Sequence, residues 1–185
     1  MKGKGLLVIL AIVIVIGAML ITPYNNLTEL DESAEAAWAQ VENQLKRRAD
    51  LIPNLLEVVK GFAAQEKEIL ANIADARTKY SGADTPEEYA EAEESFTNAV
   101  SGLNIIVENY PELKSNQVFQ DLQAELAGTE NKISTERMRY NEVIEVYNRK
   151  IRRFPSNLTA KLFGFDKRQY FEISDQDAEV PKVEF

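Results

Sequence analysis

The stretch Val41-Glu42-Asn43-Gln44-Leu45-Lys46-Arg47-Arg48-Ala49-Asp50-Leu51-Ile52-Pro53-Asn54-Leu55 decides how this chain is read. It lies within a heptad seam. One seam position is taken by Tyr24, Asp31, Trp38, Leu45, Ile52, Val59, Glu66, Ile73 and Tyr80, the other by Leu27, Ala34, Val41, Arg48, Leu55, Phe62, Ile69 and Ala76. The phase runs through Pro53 unbroken. A proline inside a helix removes one backbone donor and kinks it, whereas a chain reversal has no reason to keep the register. The pattern therefore predicts one long helix from Tyr24 to Tyr80, kinked at Pro53. A reversal between Asp50 and Pro53, giving a four-helix bundle, is the alternative.

C-terminal to the seam, Ser81-Gly82-Ala83-Asp84-Thr85-Pro86 stops one helix and starts the next, with Thr85 as N-cap and Pro86 at the first helical position. That helix turns Tyr89, Phe96, Leu103, Ile106 and Val107 inward and ends near Tyr110, because Pro111 disfavours helical geometry in the residue before it. A last long helix resumes near Ser115 and buries Phe119, Leu122, Leu126, Ile133, Tyr140, Val143, Tyr147, Ile151 and Phe154, stopping at Phe154-Pro155. It would be about 58 Å long. The middle helix is too short to cover it, so part of its apolar face calls for the membrane-proximal helix or another copy of the chain, unless the first helix folds back. Pro155 to Phe171, with Leu158, Leu162-Phe163-Gly164-Phe165 and Tyr170-Phe171, reads as a cap over the bundle or as an interfacial anchor beside Lys161, Lys167 and Arg168.

N-terminal to the seam, Lys2 and Lys4 precede an apolar run from Gly5 to Ile21. Its seventeen residues rise about 25 Å as a helix, at the low edge of what spans a hydrocarbon core of roughly 30 Å. Gly17 to Tyr24 offers no good small-x-small processing site, so Gly5, Leu6, Val13, Gly17 and Ile21 read as parts of an uncleaved membrane anchor in contact with lipid. No basic residue follows until Lys46, which keeps the N-terminus in the cytoplasm and the helical part outside it. The expected fold class is thus all-α: a transmembrane helix, then an up-and-down bundle of three long helices, or four in the alternative. The expected divisions are 1–22 for the anchor, 23–173 for the bundle and 174–185 for an acidic tail.

Charge and composition exclude more than they assign. Thirty acidic against 21 basic residues give a net charge of -9, and -11 without the two N-terminal lysines, which disfavours nucleic acid as a ligand. The basic clusters Lys46-Arg47-Arg48, Arg149-Lys150 with Arg152-Arg153, and Lys167-Arg168 read mainly as charge balance. With no His and no Cys, the usual general bases, thiol nucleophiles and transition-metal ligands are missing, and disulfides with them. No Gly-rich phosphate loop or G-x-S-x-G motif is present. Seam carboxylates such as Asp31, Glu66 and Glu136 could form a pair or an oxygen-ligand site. Their more economical use is structural, with Arg48 or Arg137 and with Asn43, Asn131 or Asn141, to fix the register of long helices. The expected helix-interface set is Trp38, Asn43, Arg48, Pro53, Glu66, Glu130, Asn131, Tyr140 and Asn141, with no catalytic residue, cofactor or metal.

The run Ala37 to Leu55, together with Val59-Lys60-Gly61-Phe62, Glu108-Asn109-Tyr110-Pro111, Gly128-Thr129-Glu130-Asn131, Arg139-Tyr140-Asn141, Tyr147-Asn148, Ile151-Arg152-Arg153-Phe154-Pro155 and Phe163-Gly164-Phe165, resembles the signature of LemA family proteins. The resemblance spans Tyr24 to Phe171. It implies a single-pass protein of the bacterial inner membrane with a helical bundle outside the cytoplasm, and it implies no reaction. Gln65 stands where many members carry His, so no imidazole chemistry is expected at that place. Two functions agree with these features. One is a membrane-organising homo-oligomer; the other is an adaptor holding a membrane protease, transporter or envelope enzyme.

Overall fold

The structure, a computed structural model, describes the backbone of residues 2–172 and the side chains at 10, 14 and 17–172. All its elements are helices, and among the described residues there is no strand. They are α1 (Lys2–Phe62), α2 (Lys67–Gly82), α3 (Pro86–Asn109), the single turn α4 (Pro111–Lys114), α5 (Gln117–Arg152) and α6 (Ser156–Phe163). The chain divides into two compact units, one from Met1–Gln40 and Met138–Tyr170, the other from Val41–Arg137 and Phe171–Phe185. The acidic tail expected at 174–185 lies outside the described residues.

The second unit is a bundle of four helical segments: α1 from Val41 onward, α2, α3 and α5 as far as Arg137. Pro53 is half-buried inside α1 and the helix continues through it, because Leu51, Ile52, Leu55 and Val59 are buried on both sides of the missing donor. The reversal near Asp50 is thereby excluded. So is the expected continuation to Tyr80. The last bond of α1 runs from the Ala63 N–H to the Val59 carbonyl at 2.8 Å, and the chain turns back over Ala63 to Glu66. The returning helix brings Tyr80 beside Lys46, Ala49 and Asp50 of α1. A link of about one helical turn preserves the heptad phase across a reversal, which is why the phase could not reveal it.

α2 then pairs with α3 as an antiparallel hairpin. Glu66, at the α2 N-cap, accepts from the Tyr110 hydroxyl at 3.2 Å, Gly102 faces Ile69, and Lys79 donates to Ser95 at 2.7 Å. The start of α3 is as the sequence predicts. Thr85 accepts from the Glu88 N–H at 3.3 Å and Glu88 accepts from the Thr85 N–H at 3.1 Å, with Pro86 next. Because α2 supplies a fourth segment, Phe119, Leu122, Leu126 and Ile133 of α5 are buried within the chain. Tyr140, Ile144 and Tyr147 are buried in the other unit. The apolar face of α5 is thus buried within the chain as far as Tyr147, so helix length no longer argues for a second copy, while Val143 and Ile151 are half-buried and Phe154, expected to be buried, is exposed beyond the helix end.

In the first unit Leu27 and Ala34 of α1 are buried, as are Tyr140, Ile144, Tyr147 and Asn148 of α5. α6 ends at Gly164, whose φ of 77° only glycine adopts cheaply, and the Phe165 N–H closes on the Ala160 carbonyl at 2.9 Å. The following strap is tied to mid-helix positions rather than laid over a helix end. The Tyr140 hydroxyl donates to the Gln169 carbonyl and the Tyr147 hydroxyl to the Asp166 carbonyl, each at 2.9 Å. Asn148 bonds both backbone groups of Arg168, donating at 2.8 Å and accepting at 3.0 Å. The Arg168 guanidinium reaches Asp31 at 2.6 Å and Glu35 at 2.9 Å.

Among the described residues no helix is long and apolar enough to cross a membrane. The run Gly5 to Ile21 is helical, but most of its side chains, those of Gly5, Leu6 and Val13 included, lie outside the described residues. Ile21 is exposed at its end.

Candidate functional site

The polar centre of the four-segment unit is Arg48. Its side chain is 2% exposed, on the inner face of α1 among Val41, Leu45, Ile52 and Leu55. A buried guanidinium needs its five donors answered in the fold. Nη1 donates to Glu93 Oε2 from α3, and Nη2 to Glu130 Oε2 from α5. Nε lies 3.5 Å from Thr129 Oγ1, a long contact, and Cζ stands 5.2 Å from the centre of the Phe96 ring. Tyr80 of α2 completes the set by donating its hydroxyl to Glu93 Oε1. One cation thus ties together side chains from all four helical segments of the unit.

The two carboxylates differ in setting. Glu93 is 2% exposed, whereas the Glu130 side chain is 55% exposed. Burial pushes the Glu93 carboxyl above its ordinary range, with Glu130 adding to it, while Arg48 and the Tyr80 hydroxyl pull against it and fall short. Burial also opposes the charge of Arg48, but Glu93, Tyr80 and Glu130 outweigh it and leave the guanidinium firmly protonated. Burial, then the facing Glu93 carboxylate, push the Tyr80 phenol well above the usual phenol range. Of the charged groups in this centre, Glu130 is the one that reaches water. Arg48 is committed, Tyr80 stays neutral, and Glu93 is shut away from solvent.

Beside this centre an open groove of about 470 Å³ lies between α3 and α5, with Arg48, Phe96 and Leu103 toward its floor and Val100, Leu126, Ala127, Gln123 and Glu130 along it. Most of its lining is apolar. A smaller hollow of about 250 Å³ lies between α1 and the α2–α3 turn, where Glu42, Lys46, Asp50 and Asp84 make it polar. Among the described residues no group of three or more acidic side chains is placed to hold a metal ion.

The residues expected at helix interfaces divide clearly. Arg48 and Glu130 come together, and Trp38 meets Tyr140 with ring centres 5.2 Å apart. Glu66 closes the α2–α3 hairpin instead of joining them. Asn43 and Asn131 are exposed, and Asn141 is half-buried. The basic clusters are largely neutralised, Lys46 by Glu42 at 2.6 Å, Arg47 by Glu125 at 3.0 Å and Arg168 by Asp31 and Glu35. Sequence reasoning missed Glu93, although it stands between Ala92 and Phe96 on the apolar face of α3, where a carboxylate signals a buried partner. It also missed Asn148, the buried amide that bonds the strap.

Comparison with known proteins follows the same lines as the motifs. A family model described as LemA family matches residues 37–185. Magnetosome protein MamQ 2 of Paramagnetospirillum magneticum is 26% identical over 84% of this chain and 66% of its own length. MamQ of Magnetospirillum gryphiswaldense is 25% identical over 82% of this chain and 65% of its own. Protein LemA of Metamycoplasma hominis is 24% identical over 82% of this chain and 69% of its own. The chain thus spans just under two thirds of the length of the MamQ relatives.

Proposed function

The chain belongs to the LemA family, and on that basis we propose that it is a membrane-anchored, non-enzymatic scaffold of the bacterial inner membrane, whose copies associate side by side and organise the bilayer that holds them. The observation that carries this reading is the use made of the interior charge. An enzyme keeps at least one titratable group poised and reachable. Here Arg48 is bound by Glu93 and Glu130 and covered by Phe96, so its chemistry goes into holding four helical segments in one register. The lysine-flanked apolar helix at 5–21 supports anchoring, with the N-terminus inside and the helical part outside the cytoplasm. The relatives named as magnetosome proteins are bacterial and agree with work at a bacterial membrane.

The groove between α3 and α5 is the surface offered for association, since an apolar cleft of this size accepts a helix side. It favours a second reading equally well in its chemistry: an adaptor that holds another envelope protein there. A photo-crosslinking amino acid at Ala127, in the groove, distinguishes the two in cells. Capture of a second copy supports the scaffold, capture of one other protein supports the adaptor, and absence of any protein adduct would sink both.

A further inference from the structure

α6 is built inside out for a helix in water. Its buried residues are Ser156, Thr159 and Ala160, with Thr159 fully buried and its hydroxyl without a hydrogen-bond partner. Its leucines face outward: Leu158 is 53% and Leu162 66% exposed, and Phe154 one turn before them is 71% exposed. Leu158 and Leu162, four apart, share one face of α6, and Phe154 lies outside the helix, exposed in the turn just before it. Water penalises a helix that hides hydroxyls and shows leucines, and a nonpolar surrounding rewards it.

The position of this face says what surrounds it. Phe163, at the end of α6, packs against Tyr24 with ring centres 4.8 Å apart. Tyr24 follows the end of the apolar run at Ile21 by three residues, about 4.5 Å along the helix. If the run spans the bilayer, the end of α6 therefore stands at the lipid–water boundary, where aromatic rings collect. The charge pattern agrees. From Arg152 to Phe165 there is no acidic residue, in a chain where acids outnumber bases 30 to 21, and Arg152, Arg153 and Lys161 are exposed there. The segment can approach anionic headgroups that the chain as a whole would avoid.

We infer that α6 lies in the membrane interface, with Phe154, Leu158 and Leu162 inserted among the outermost acyl carbons and the neighbouring cations at headgroup level. The inference rests on the anchored reading given above. A second copy is the poorer occupant. Three exposed apolar side chains are far fewer than the roughly 20 residues a side of a stable protein interface, whereas a helix with one apolar face can lie on a bilayer.

The chain has no cysteine, so single cysteines report without background. We would place Leu158→Cys, Leu162→Cys and, as a reference within the apolar run, Ile14→Cys in the full chain. Each would be labelled with an environment-sensitive fluorophore and reconstituted in phosphatidylethanolamine–phosphatidylglycerol vesicles. The expected result is blue-shifted emission at 158 and 162, protection from aqueous iodide, and quenching by lipids spin-labelled near the headgroup. A probe at 158 or 162 that iodide reaches freely overturns the inference. So does one shielded from both quenchers, which means that protein covers it. Ile14 separates the two readings: a deep probe there with aqueous probes on α6 leaves the anchor standing and removes only the interfacial helix. An aqueous probe at Ile14 removes the anchor itself.

Discussion

Replacing Arg48 by methionine removes the cation while keeping most of the side-chain volume, and its cost can be worked from the surroundings of Glu93. With Arg48 gone, the buried carboxylate has no counter-charge, and its cheapest escape is to take up a proton. At pH 7 that costs at most about 3.4 kcal/mol for a group of ordinary pKa 4.5, at about 1.36 kcal/mol per unit, less what the raised pKa of Glu93 already costs the native protein. The lost contact with Phe96 adds about 1 kcal/mol. The sum, at most about 4 kcal/mol, compares with the range of about 3–5 kcal/mol for halving a buried pair. Glu130 adds little, since half of it already faces water. Because the folded pKa of Glu93 lies above its unfolded one, its contribution to stability is intact below about 4.5 and is lost as pH rises through the folded value. Removing Arg48 extends that loss toward neutrality. Urea unfolding of the full-length protein in detergent, followed by circular dichroism, should show the penalty of Arg48→Met shrinking by about 1.4 kcal/mol for each pH unit below 7. Adding Glu93→Leu and Tyr80→Phe should recover most of it at neutral pH, since an apolar replacement of a buried pair is often neutral. A penalty below about 1 kcal/mol, the worth of an exposed pair, or one indifferent to pH, would refute the reasoning.

Thr85→Ala, which opens the capping box of α3, should cost about 1 kcal/mol in the same unfolding assay. Asn148→Ala leaves the Arg168 N–H and carbonyl without their partner and should cost about 2 kcal/mol; limited proteolysis should then cut faster within 164–172. The Tyr147 phenol is pushed up to about 12, first by burial and then by Asp31, against the pull of Arg168. The stability it lends is whole below pH 10 and is lost as pH rises through about 12, so the strap should loosen in strong alkali. Tyr147→Phe should remove one late-ionising phenol from the absorbance titration; an unchanged titration above pH 10 would count against that assignment.

The sequence carried local stops well and long-range closure poorly. Thr85-Pro86 and Tyr110-Pro111 are legible because capping and proline sterics act within a few residues. Arg48 is legible as a charge on an apolar seam. The turn at Ala63 to Glu66 is hidden because it leaves the heptad phase intact and contains no proline. Glu93 could have been found by applying to α3 the test applied to α1, a carboxylate between buried neighbours. The strap could not. Its order comes from Tyr140, Tyr147 and Asn148 bonding backbone groups 19 to 29 residues away, and such bonds leave no periodic trace in sequence. The outward leucines of α6 are visible in the sequence as residues, but only the burial of Ser156 and Thr159 shows which way the helix faces.

The most direct test of the scaffold is the mass of the full-length protein extracted in its native lipid, compared with the fragment 22–185. The account predicts a discrete homo-oligomer that keeps lipid bound, and weaker association in the fragment. A monomer in native lipid, or a complex made chiefly of some other protein, would contradict it.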